Sequence, residues 1–399
     1  MHKVHSRLVF VVLLVMVGAL LAGCAPAPVQ APAAVPTKAP EAAPTKAPEA
    51  APTAAPQAKT LDKVVWVSPR GNLEVMDDAN MWAAIDQGYC KDLGIDVDMQ
   101  PGPGEALGVV KLVGEGQANV GYPSPGVLTA GIDAGIPVIL AWEMMMTQVF
   151  DFALPKGSPI KSIKDLAGKK ISVMSEGWSV IIDPMLVEAG VDPKSVSYQV
   201  AGAQWAQALA NGQADAALAW KGLRPQWKAA GMDFDWLVGS DVSKHPANGY
   251  AINSNDLKDP KKVDMWNRFF KCVAMGIEFE KLNPRAAAQI TYDKFPALKE
   301  QMPKQQLAFD SMWELDCHYW HGEDIGKGIG YADLDGWNNY IDAVYKLGQI
   351  KTRPKTEDVV TNQFVAEANN FDKVKVKADA EKFQLKDEWK AVQVPAECK

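Results

Sequence analysis

Beyond residue 60 the chain alternates between short β-branched runs and longer stretches with helical spacing. Leu61–Val67 (LDKVVWV) is short and β-branched, which predicts a buried strand. After a loop at Ser68–Asp78, apolar positions recur at helical spacing from Ala79 to Leu93, and Gly94 closes that helix. Ile95–Met99 alternates as a second strand and stops at Pro101-Gly102-Pro103-Gly104. A helix over Ala106–Gly114, a short strand over Ala118–Gly121, a turn at Tyr122–Pro125, a helix over Val127–Ala134 and a strongly apolar strand over Ile136–Trp142 follow. This alternation predicts a parallel sheet with helices on its faces.

The same rhythm then repeats. Strands are predicted over Phe150–Leu154, Lys170–Met174, Ser195–Val200 and Ala214–Trp220. Helices are predicted over Ser162–Leu166, Val180–Glu188, Ala203–Asn211 and Pro225–Ala230. From Tyr250 the pattern is mainly helical, over Lys262–Leu282, Pro284–Phe295, Lys304–Cys317 and Asp333–Leu347. The last stretch, Lys351–Lys399, reads as a weak helix over Glu357–Asn369 and a charged tail.

The N-terminus follows another rule. His2, Lys3, His5 and Arg7 precede an uncharged run, Leu8–Val17. A bilayer needs ~20 apolar residues, so this run reads as the core of a secretory signal. It ends in Leu21-Ala22-Gly23-Cys24, which resembles the lipobox of bacterial lipoproteins and implies an acylated Cys24. Ala25–Lys59 is mostly Ala and Pro, with Pro-Thr-Lys-Ala-Pro-Glu-Ala-Ala twice in tandem. Frequent proline forbids helix and sheet ladder, so an extended tether is expected.

The formal charge is -7, and removing Lys3 and Arg7 with the signal makes it more negative. An acidic body argues against nucleic acid, whose phosphates need a basic face. Hydrophobic residues at 48% and charged residues at 22% suit a globular body, and the length after the tether suits two domains. Four cysteines follow Cys24. Cys272 with Cys317 is one possible disulfide, and buried free thiols are the alternative.

Several segments then fall into a known order. Trp82–Val97 resembles the opening of periplasmic binding proteins for taurine, sulfonates, nitrate and thiamine pyrimidine precursors. Gly114-Glu-Gly-Gln-Ala-Asn-Val-Gly and Gly212-Gln-Ala-Asp-Ala-Ala resemble that family's glycine turns. Ser158–Val173 is similar to its I-K-S-x-K-D-L-x-G-K-x-I block. The resemblance covers about Val64–Asn253 and implies an α/β, two-lobed periplasmic-binding-protein fold, with two sheets joined by two crossings. The crossings would lie near Gln148–Phe152 and Tyr250–Asn253. The expected divisions are signal 1–23, tether 24–59, first lobe 60–149, second lobe 150–250, a return to the first lobe over 251–350, and an extension over 351–399.

In open parallel sheets a ligand lies beyond the carboxyl ends of the strands. The loops placed there carry Asn72, Asp77, Asp78, Trp82, Glu105, Tyr122, Ser124, Trp142, Glu143, Glu176, Trp178 and Trp220, with Asn248 and Tyr250 at the return crossing. Trp82, Tyr122, Trp142, Trp178 and Trp220 offer flat faces for stacking, although any one of them could equally be core. The acids repel anions, and only Arg70, Lys221 and Arg224 could attract one. For Asp77 and Asp78, capping of the helix at Ala79 is the competing role.

The expected partner is therefore a flat heteroaromatic solute, riboflavin first and a thiamine aminopyrimidine precursor second, with an alkanesulfonate or nitrate behind them. The resemblance implies delivery by a lipid-anchored monomer, outside the cytoplasm, to an ABC permease. No cofactor and no catalysis are expected. Two other classes compete: a pyrimidine-synthesising enzyme on the same fold, and a metal-binding lipoprotein built on Cys317, His318, His321, Glu323 and Asp324.

Overall fold

The computed structural model describes residues 61–103, 107–319 and 321–395, apart from the side chains of Cys317, His321 and Gly322. Cys24, the tether and Glu105 lie outside the described residues. The described residues belong to one contiguous body, Ala58–Lys399.

Among the described residues ten strands make two sheets. The first contains β1 (Asp62–Val67), β2 (Ile95–Gln100), β3 (Val120–Gly121), β4 (Val138–Glu143) and β10 (Gly249–Asn253), in the order β2-β1-β3-β10-β4. The second contains β5 (Phe150–Pro155), β6 (Lys170–Val173), β7 (Ser197–Val200), β8 (Ala216–Trp220) and β9 (Phe234–Leu237), in the order β7-β6-β8-β5-β9. The two orders are the same pattern. In each sheet the fourth place is held by a strand that has just crossed from the other, and it runs antiparallel to both neighbours. The return connection runs over residues 238–248, directly before Tyr250–Asn253 pairs within the first sheet. The edge strand β9 had no forecast. Its four residues are too few to show a period.

The helices in chain order are α1 (Ala79–Asp86), α2 (Tyr89–Asp92), α3 (Gly108–Gly114), α4 (Pro125–Asp133), α5 (Ser179–Glu188), α6 (Trp205–Ala210), α7 (Leu223–Ala229), α8 (Pro260–Leu282), α9 (Pro284–Lys294), α10 (Pro296–Gln301) and α11 (Gln305–Tyr319). After them come α12 (His321–Asp324), α13 (Leu334–Lys346), α14 (Thr356–Val359), α15 (Val365–Ala368), α16 (Lys373–Lys382) and α17 (Asp387–Lys390). The helix expected over Ala79–Leu93 is two helices, because Gly88 adopts φ 76° between them, a conformation that costs glycine nothing.

Helix α8 is the pillar of the first lobe. Its Gly276 lies so close to α1 that a Cβ there would fall 2.3 Å from the Asn80 carbonyl. A disulfide between Cys90 and Cys272 ties α2 to α8, so Cys272 pairs with Cys90 and not with Cys317. Nothing in sequence spacing singles out a partner 182 residues away.

The C-terminal stretch is more than a charged tail. Val360 forms a parallel bridge to Leu140 of β4, and Phe364 packs on Phe270 of α8. On α16 Val376 and Ala380, one turn apart, are buried while the lysines face outward. Trp389 sits against Tyr292 of α9. This extension wraps the first lobe.

Candidate functional site

The site begins where β1 ends. Arg70, in the loop after β1, turns its guanidinium back onto the start of α1, 2.5 Å from Asp78 and 3.3 Å from Asp77. Asp78 occupies the N-cap of α1 but makes no side-chain cap, so the capping role does not apply to it; its carboxylate is spent on Arg70. The second lobe reaches the same point. Trp220, the last residue of β8, donates its indole N–H to Asp77 at 2.9 Å. Tyr319 of α11 donates to the Asp77 carbonyl at 2.6 Å, and Ser311 of α11 to the Gly222 carbonyl at 2.6 Å. Helix α11 thus bonds to both lobes.

Aromatic rings form the wall beside these acids. Tyr122 follows β3 and Tyr250 lies on β10, with ring centroids 4.9 Å apart, and Trp66 of β1 is 6.1 Å from each. In the second lobe Trp178, Trp205, Trp220 and Trp227 make a chain of indoles with centroids 5.6–6.5 Å apart. Trp205 is buried and anchored by its N–H on Leu218, while Trp178 and Trp220 are half-buried. Asn248 donates to the Tyr122 carbonyl at 3.3 Å.

Burial dominates the electrostatics. It pushes Asp77 up to about 6, against the attraction of Arg70 and with the help of Asp78. Burial also works against the charge on Arg70, but Asp78 and Asp77 overcome it and hold the guanidinium protonated. Glu280 of α8 and Asp316 of α11 are wholly buried, and burial raises both well above the carboxylate range. Asp78 adds to the rise at Glu280, and Glu280 and Asp77 to that at Asp316. Burial likewise raises Tyr122, Tyr250 and Tyr319. Arg70 therefore serves two of these four acids, Asp77 and Asp78.

The family model described as NMT1/THI5 like matches residues 76–287, from the acid pair that opens α1 to the start of α9. The chain belongs to the NMT1/THI5-like family. Among curated proteins none matches it. Solved structures share the fold at low identity. A Bordetella bronchiseptica RB50 protein has a TM-score of 0.57 at 17% identity, covering 78% of this chain and 98% of its own. The alkanesulfonate-binding protein SsuA of Xanthomonas axonopodis pv. citri, bound to MOPS, has a TM-score of 0.57 at 10% identity, covering 76% and 100%. A Candida albicans protein described as having the generic periplasmic binding protein fold has a TM-score of 0.57 at 15% identity, covering 76% and 96%. The two-sheet architecture of this NMT1/THI5-like chain is that fold.

Within it, the residues singled out from sequence separate into groups. Asp77, Asp78, Tyr122, Trp220, Asn248 and Tyr250 converge as described, and Trp178 flanks Trp220. Ser124 stands buried at the N-cap of α4. Trp142 does not join them. Phe270 stacks on its ring at 5.3 Å, Gly330 lies so close that a Cβ there would fall 2.3 Å from the ring, and the side chain is wholly buried. No face is left for a ligand. Glu143, also buried, accepts the Trp337 N–H at 2.5 Å. Trp82 packs edge-on against Phe295, with the Lys294 ammonium 4.4 Å from its centroid. Asn72 and Glu176 are exposed.

Sequence reasoning missed Trp66, Glu280, Asp316 and Tyr319. A signal existed for Glu280: it interrupts the apolar stripe of Val273, Gly276 and Ile277 on a helix where charge is out of place. In the cluster at Cys317, Glu323 pairs with Lys281 and Lys373, and His318 contacts Thr147. No group able to hold a metal is found among the described residues. No helix among them is long and apolar enough to cross a membrane.

Proposed function

We propose that this protein is the extracytoplasmic solute-binding component of an ABC importer, moored by an acylated Cys24 and its Ala/Pro tether. The solute is a planar heteroaromatic compound rich in N–H or O–H donors, held between the lobes and released unchanged to a permease. The observation that carries this reading is the meeting of the lobes at Asp77. The acid pair comes from the first lobe, the indole of Trp220 from the second, and Tyr122 and Tyr250 stand beside them. Flat rings and carboxylates suit a flat solute that donates hydrogen bonds.

The Xanthomonas neighbour is named for alkanesulfonates, and a sulfonate is the competing cargo. It needs positive charge or free amides. Here the nearest guanidinium, Arg70, is already spent on two carboxylates, which favours donors over anions. Riboflavin and an aminopyrimidine of the thiamine-precursor type both belong to the proposed class. The rival reading as a pyrimidine-synthesising enzyme requires turnover, and the proposal requires none.

Mass spectrometry of small molecules released from the protein purified without added ligand is the test. A flat nitrogen heterocycle is expected. A sulfonate in that fraction would overturn the cargo, and conversion of an added heterocycle to product would overturn the transport role.

A further inference from the structure

Four carboxylates gather where α1 begins, and their positions divide them. Asp77 and Asp78 have Arg70 and Trp220. Glu280 and Asp316 have no such support: both side chains are wholly buried, and none of their four oxygens has a hydrogen-bond partner among the described residues. A second feature, independent of the acids, points the same way. The hydroxyl of Tyr122, 1% exposed, is also unpartnered there, although it lies within electrostatic reach of Asp77, Asp78 and Arg70. The Oγ of Ser124, two residues on, is unpartnered as well.

Such an arrangement costs the fold stability. A buried carboxylate without donors is worse than a neutral amide of the same shape, and two close together add repulsion. Stability alone would place Gln and Asn at these positions. What makes carboxylates useful is a visitor that brings positive charge and N–H donors at once, as charge-assisted hydrogen bonds are about twice as strong as neutral ones.

We propose that Glu280 and Asp316 are the counterions of a cationic nitrogen group on the solute: a protonated amine, an amidine or a protonated amino-heterocycle. The inference rests on the cleft reading above and narrows its solute class from donor-rich to positively charged. Tyr122 and Ser124 supply the neutral oxygens around that group, and Arg70 orients Asp77 and Asp78 rather than binding an anion.

A size-matched series of flat probes separates this inference from the reading beneath it. Benzamidine is cationic, benzamide neutral and benzoate anionic, and each is titrated calorimetrically into the purified protein freed of carried solute. Benzamidine is expected to bind about ten- to a hundredfold tighter than benzamide, with benzoate weakest. Glu280→Gln and Asp316→Asn should each bring benzamidine down to the affinity of benzamide, abolishing that preference, and raise the melting temperature at mildly alkaline pH. Equal binding of benzamidine and benzamide would overturn the counterion role while leaving a ring-binding cleft intact. So would a preference that survives both substitutions, or a lowered melting temperature in both variants. A preference for benzoate would overturn it in favour of an anion site. Failure of every probe to bind would overturn the cleft reading and this inference together.

Discussion

Asp151 on one side, and Glu280 with Asp316 on the other, are wholly buried carboxylates built in opposite ways. Asp151 on β5 receives the Arg224 guanidinium from α7 and the Gly239 backbone N–H at 2.8 Å. Glu280 and Asp316 receive nothing from the described residues. Burial raises all three from their ordinary values, yet only at Asp151 do an Arg and an amide pull the other way. The first arrangement is what a fold does with a charge it keeps for itself, joining β5, α7 and the start of the return crossing. The second is what a fold tolerates when the partner comes from elsewhere. Burial alone does not distinguish a structural acid from a binding acid; the donor count does.

The largest effect should come from breaking the satisfied site. Arg224→Met leaves Asp151 buried beside one amide, and removal of one partner from a buried pair costs about 3 kcal/mol. The midpoint of urea unfolding should drop accordingly, with little change in solute affinity. An unchanged midpoint would mean that Asp151 is not held by charge, and the contrast between the two sites would collapse.

At the unsatisfied site the sign reverses with pH. The folded-state carboxyls of Glu280 and Asp316 bind protons more tightly than in the unfolded chain, so the folded state holds extra protons through that window. Stability must therefore fall as pH rises through it. Asp77 contributes in the same direction between its ordinary 3.8 and about 6. The double variant Glu280→Gln, Asp316→Asn should flatten this fall and gain about 1 kcal/mol at mildly alkaline pH. Unfolding midpoints measured across the range check it, and a double variant that loses stability at every pH would make the two acids structural.

Trp220→Phe sharpens the comparison from the second lobe. It keeps a ring but removes the N–H that reaches Asp77. One such hydrogen bond to a charged group is worth about 1.5 kcal/mol, so the unfolding midpoint should drop by that amount, less than for Arg224→Met, and affinity for the carried solute should fall with the loss of this tie between the lobes.

How much of this could be read from the chain depends on the range of the signal. The strands β1, β4 and β8 were legible because continuous apolar runs are local, and α8 because its stripe spans many turns. Asp77, Asp78 and Trp220 were legible because strand ends point ligand loops in a fixed direction. Glu280 and Asp316 were not, since they lie on helices more than 200 residues beyond β1 and come near Asp77 and Asp78 only through the packing of α8 against α1 and of α11 across both lobes. The Cys90–Cys272 link and the stacking of Trp142 against Phe270 are long-range in the same sense. A tryptophan at a strand end has a predictable position but not a predictable neighbour.

The smallest effect concerns two residues that the strand-end rule placed in the site and the fold leaves in solvent. Asn72 sits in the loop after β1 and Glu176 in the turn after β6, and both are exposed. An exposed polar side chain away from caps and pairs contributes within about 0.5 kcal/mol, so Asn72→Ala and Glu176→Gln should shift affinity by no more than about twofold. Their values set the floor against which Trp220 and Glu280 are judged. A loss comparable to that of Trp220→Phe at either position would mean that these loops fold over the solute when it binds. The acids that matter would then include a solvent-facing one, and a missing donor would no longer mark a binding carboxylate.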